Sequence, residues 1–168
     1  MIFWTIYISL ALYVLALSLL MSSRDEPARR LARLAWTAAF SLYILHVLAA
    51  YHYQHRWSQA DALSHAAKRT AEVVGLDWSG GLYVNYVFTI VWFADVAWWW
   101  RNAEAYRRRP RWMTFSIHAF FAFIAINSTV VFARGAVRWI SAAAAAALVV
   151  LWFSQRKNKL PRSALTRT

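Results

Sequence analysis

GGLYVNYVFTIVWFADVAWWW, residues 80–100, is the stretch whose reading decides the fold. Asp95 is its only charged residue. As a helix rising 1.5 Å per residue, the run is about 30 Å long, the thickness of a bilayer's hydrocarbon layer. Residues 1–22, 34–54 and 112–133 are stretches of the same kind, and 138–154 is a shorter fifth, almost wholly apolar after Arg138. The pattern predicts an all-α integral membrane bundle of five transmembrane helices. It forms a single domain over 1–168, with a basic tail at 155–168.

Composition agrees. Hydrophobic residues make up 61% of the chain and charged residues 15%. A soluble domain is nearer half apolar and about a quarter charged. The formal charge of +12 sits in short blocks beside the apolar runs. That is the pattern of membrane topology and of attraction to anionic headgroups, not of nucleic-acid binding. The expected partners are membrane lipids, with other membrane subunits or further copies of the chain. The chain has no cysteine, which excludes disulfides, thiolate metal sites, iron–sulfur clusters and covalent c-type haem. No basic segment precedes the first apolar run, and that run is too long for a signal peptide, so it reads as a retained span.

Lys and Arg alternate between connections. Arg24, Arg29, Arg30 and Arg33, then Arg101, Arg107, Arg108, Arg109 and Arg111, then Arg156, Lys157, Lys159, Arg162 and Arg167 would share one side. Only Arg56, Lys68, Arg69, Arg134 and Arg138 would lie on the other. The positive-inside rule places the larger set in the cytoplasm of a cell with the chain in its inner membrane, N-terminus outside and C-terminus inside. An odd number of spans satisfies that orientation. Trp98, Trp99, Trp100, Trp112 and Trp139 fall at span ends, where indoles prefer the headgroup level.

The one long connection separates spans two and three. Trp57, Ala60, Leu63, Ala67, Ala71 and Val74 recur at three- and four-residue spacing, with Asp61, His65, Lys68 and Glu72 opposite. This predicts an amphipathic helix over 57–75, lying at the membrane interface. Gly75 is its stop, and Ser79 is placed as the N-cap of span three.

Two constellations could carry chemistry. His52, His55, Asp61 and His65 fall within fourteen residues, at the outer end of span two and along the amphipathic helix. His52 and His55 share a helix face, Asp61 and His65 are one turn apart, and a bend near 56–58 would bring the pairs together. Imidazoles with a carboxylate suit Zn(II), and imidazoles also take Cu(II). A water in one ligand position would supply a hydroxide nucleophile. The plain alternative is a solvated polar stripe beside interfacial histidines. The second constellation lies within the bilayer. Asp95 and His118 sit at matched depth on consecutive spans, which predicts a buried polar pair acting as a relay, a metal-orienting contact or helix glue. His46, Asn85 and Asn127 are further buried polar candidates. A b-type haem between His46 and His118 requires two histidines whose depths differ by roughly 9 Å along their helices.

Gly-rich phosphate loops and the GxSxG elbow are absent from the sequence, and no span carries a retinal-binding lysine. Three functions therefore remain: a metal-binding protein or small membrane metalloenzyme, a non-catalytic subunit or assembly factor of a membrane complex, and a haem-binding electron carrier.

Overall fold

A computed structural model describes residues 2–22 and 25–131, together with Gly135 and Trp139. All regular structure among these residues is helical: α1 (Ile2–Ser22), α2 (Glu26–Tyr53), α3 (Gln59–Val74), α4 (Gly81–Arg101), α5 (Ala103–Arg108) and α6 (Arg111–Ile126), followed by a π-helical turn at Asn127–Val131. Among the described residues, four segments are long and apolar enough to cross a membrane: Trp4–Ser22, Glu26–Tyr53, Gly81–Arg101 and Arg111–Val131. The expected fifth span at 138–154 and the basic tail lie outside the described residues.

The chain forms two compact units, Met1–Phe121 and Ala122–Thr168. In the first unit, α1 packs along α2, α2 against α4, α3 against α4 and α4 against α5. Small residues let α1 and α2 approach closely: Ser9 and Ala16 on one, Ala32, Ala35 and Ala39 on the other, all buried. Ser9 Oγ donates to Ala39 O across this contact at 2.7 Å. The centre of the unit is aromatic. Trp36 packs on Tyr13, Trp92 and Phe121 with ring centroids 5.3–5.4 Å apart, and Phe88 joins Phe121 at 4.7 Å. Aromatic side chains bury large areas and prefer tilted or offset contacts at such distances. Large apolar side chains such as Leu34, Leu45, Ile90, Phe93 and Phe115 are exposed instead, as expected for helix faces that meet lipid.

Local signals set the helix ends. Pro27 stands in the first turn of α2, where its missing N–H costs nothing. Ser58 caps α3 by accepting from Asp61 N, and Gly75 ends it at φ 75°, a left-handed conformation that glycine adopts without a Cβ clash. The Ser79 side chain does not cap α4. Gly80 holds the N-cap position without a side-chain bond, and a β-carbon there would collide with the Trp78 indole. The basic connection after α4 contains α5, capped by Asn102, which accepts from Ala105 N at 2.8 Å.

In the second unit, the side chains of Asn127, Ser128 and Thr129 donate back to Phe123 O, Ile124 O and Ala125 O. Asn127 is thus bonded to its own helix, and hydroxyls in this back-bonding pattern bend the helices that carry them.

Candidate functional site

The polar site forms where α2 turns into α3. Two consecutive residues, Arg56 and Trp57, have φ of 47° and 61°, a left-handed conformation that costs a non-glycine residue roughly 1–3 kcal/mol. The turn is closed by Trp57 N donating to Tyr51 O at 3.0 Å and Ser58 N to His55 O at 2.7 Å. Gln59, the first residue of α3, is fixed from both sides. Tyr51 Oη and Tyr86 Oη donate to its Oε1 at 3.0 and 2.8 Å, and the two phenols also touch. The start of α3 is thereby tied to both α2 and α4.

This reversal brings three of the four expected site residues together. His55 Nδ1 and Asp61 Oδ2 are 2.9 Å apart. The His55 and His65 rings lie with centroids 5.3 Å apart, tilted by 52°. Gln54, Ser64 and Lys68 complete a cleft of about 410 Å³ with these three. The fourth residue is directed elsewhere: His52 Nδ1 accepts from Trp57 Nε1 at 3.2 Å. Among the described residues, no group of three or more His, Cys, Asp or Glu side chains is arranged to hold a metal ion. The physical reason is visible at both misfits. The strained turn points the Trp57 indole at His52, and the Asp61 carboxylate is occupied by an imidazole.

A carboxylate on Nδ1 has a definite chemical effect. It fixes the ring's orientation and tautomer, leaving Nε2 as the free nitrogen. Asp61 thus stands as the orienting group for His55 rather than as its equal. Tyr51, edge-on to His55 at 5.8 Å, walls the ring on another side.

The buried pair is built differently from the expectation. Asp95 lies in α4 with its side chain 1% exposed, and Arg109 reaches it with a side chain 5% exposed, Nη1 to Oδ1 at 2.5 Å. Tyr106 Oη donates to the second carboxylate oxygen at 2.9 Å. Arg109 also lies over the Tyr106 ring at 4.0 Å and donates through Nε to Thr114 Oγ1 at 2.9 Å. Burial, and next the Asp95 charge, push the Tyr106 phenol well above its ordinary range, so it stays a donor. Asp95 hydrogen-bonds these two partners and not His118. The His118 ring stands edge-on to Trp36 at 5.7 Å, and its Nδ1 has no hydrogen-bond partner among the described residues. Depth along the helices matched Asp95 to His118, but a buried carboxylate is stabilised far more by a guanidinium that can bind it closely.

His46 meets Thr5 Oγ1 through Nδ1 at 3.3 Å. The two histidines considered for haem are therefore engaged by different neighbours, Thr5 and Trp36. Asn85 is exposed, and its backbone carbonyl, not its side chain, accepts from Thr89 Oγ1 and from Tyr43 Oη. The sequence reading missed Arg109, Tyr106 and the Tyr51–Gln59–Tyr86 group. For Arg109 a signal existed: a lone carboxylate deep in an apolar run demands a cation, and five arginines follow within the next connection.

Comparison of the chain with protein-family models, with curated proteins and with solved structures gave no match.

Proposed function

We propose that this chain is a five-span inner-membrane protein whose function resides in a divalent-metal site at the outer membrane face, with His55 and His65 as the two protein ligands. One observation carries the reading. Two imidazoles sharing a tetrahedral metal, with metal–nitrogen bonds near 2.0 Å, place their ring centres about 5 Å apart, and the His55–His65 separation is 5.3 Å. Asp61 supports it as the carboxylate that orients a ligating histidine, a recurrent partner in such sites. The remaining positions on Zn(II) or Cu(II) would go to water or to an incoming group. The Lys68 ammonium in the same cleft favours an anionic one. A zinc-bound water could then serve as a hydroxide source, which is the basis for a hydrolytic role.

Zinc titration of the purified protein in lipid nanodiscs tests this. Wild type should bind one zinc per chain. His55→Ala and His65→Ala should abolish stoichiometric binding, and Asp61→Asn should weaken it about 10- to 100-fold. His52→Ala should leave it unchanged, because His52 is bonded to Trp57. Equal binding by wild type and the His55→Ala, His65→Ala double variant would end the reading. The chain would then be better described as a non-catalytic membrane subunit. That reading is favoured by the polar contacts of His46, Tyr43 and Asp95, each of which joins one helix of this chain to another segment of it.

A further inference from the structure

Arg33 differs from Arg107, Arg108 and Arg109. Arg107 pairs with Glu104 and Glu26, Arg108 with Glu104, and Arg109 with Asp95. These contacts occupy the carboxylates of Glu26, Glu104 and Asp95. Arg33 has no ion pair among the described residues. Its guanidinium lies over the Trp100 ring, 4.2 Å from the centroid. Its Nε is buried and lacks a hydrogen-bond partner among the described residues.

The platform beneath Arg33 is fixed. Trp100 Nε1 donates to Thr37 Oγ1 at 2.9 Å, and Thr37 Oγ1 donates to Arg33 O at 2.8 Å. The α2–α4 contact therefore presents a guanidinium stacked on an indole with donors still unmet. Arg29 and Arg30 lie one turn earlier on α2, where residues three and four apart share a face. Neither has a carboxylate partner among the described residues. A planar fork of donors backed by an aromatic ring and flanked by two more cations is suited to phosphate oxygens.

The surroundings distinguish a lipid from a free ion. Two turns on from Arg33, on the same face of α2, half-buried Phe40 packs on Phe93 with ring centroids 6.1 Å apart, and Leu48 is exposed further along that face. Across the contact, Phe93 is exposed two turns from Trp100 on α4. A phosphate held at Arg33 would have acyl-chain surface running away from it on both helices, and Trp100 ends an apolar helix where indoles sit at headgroup level.

We propose that Arg33, backed by Trp100 and flanked by Arg29 and Arg30, binds the phosphate of one anionic phospholipid. The inference is independent of the metal site. The test is native mass spectrometry of the full chain released from phosphatidylcholine nanodiscs containing a minor share of phosphatidylglycerol. Wild type should retain one phosphatidylglycerol in preference to phosphatidylcholine. Arg33→Gln should reduce that retention roughly tenfold, and the double variant Arg29→Gln, Arg30→Gln should also reduce it without touching the α2–α4 contact. Arg108→Gln, whose partner is Glu104, should retain the lipid as wild type does. Retention unaltered by both the Arg33 and the Arg29, Arg30 changes would overturn the proposal. So would displacement of the lipid by inorganic phosphate at equal concentration, which would make the site one for a free anion.

Discussion

Asp95 carries a carboxylate into a run of apolar residues, and Arg109 returns from the connection beyond α5 to neutralise it. Removing one member of a buried pair leaves the other charge uncompensated and costs about 3–5 kcal/mol, whereas replacing both by uncharged groups of similar size is far milder. Arg109→Leu should therefore lower the unfolding midpoint in detergent sharply, and Asp95→Asn combined with Arg109→Gln should recover most of the loss. A double change that costs the sum of the two single changes would mean that the charges are not coupled. Tyr106 adds a pH dependence. Its phenol holds its proton more tightly when folded, through burial and the facing Asp95 charge, against the opposing effect of Arg109. Its contribution is thus complete below the ordinary tyrosine range near 10 and is lost as pH rises above it. Unfolding midpoints measured between pH 9 and pH 11 (roughly one unit either side of that range) should fall less steeply for Tyr106→Phe than for wild type. Asp95 was legible in the sequence as a buried charge. Its partner was not, because Arg109 sits in a basic block that also serves topology, and depth along helices says nothing about which side chain folds back from a connection.

Among the elements, α3 shows what periodicity could and could not convey. The three- and four-residue spacing and the Gly75 stop are present in the sequence, and a helix stands at Gln59–Val74. The face that packs is not the apolar stripe, however. Ala62 and Thr70 are buried, while Trp57, Ala60, Ala71 and Val74 are exposed. Small side chains allow α3 to approach α4 closely, and hydrophobicity alone does not rank alanine above valine for that role. Ala62→Leu should overpack this contact and cost about 1–3 kcal/mol. Cysteines placed at Lys68 and Glu72 should react with an impermeant thiol reagent, whereas one at Ala62 should be protected in the folded protein. Labelling of all three at one rate would remove the packed face. The α2–α3 turn was legible only as a bend. Its left-handed Arg56 and Trp57 carry no glycine signal, so the direction taken by His52 could not be read in advance.

At the scale of the whole molecule, the apolar run lengths conveyed the helical, membrane-length architecture, since bilayer thickness constrains helix length more strongly than any single residue does. Four such helices stand among the described residues. The proposed five-span topology predicts that a reporter active only in the cytoplasm works when fused after Thr168 and that an export-dependent reporter does not; the reverse pattern would require an even number of spans or an inverted chain. The grouping of His55, Asp61 and His65 depends on the turn, on Gln59 held by two tyrosines, and on packing of α3 against α4, so spacing could nominate these residues without fixing which of them meet. Their proposed role as a metal centre is tested most directly by X-ray absorption at the zinc edge on zinc-loaded protein in nanodiscs. The account predicts two imidazole ligands with zinc–nitrogen distances of about 2.0 Å, lost in His65→Ala. A spectrum without imidazole scattering, or one identical in wild type and His65→Ala, would contradict it.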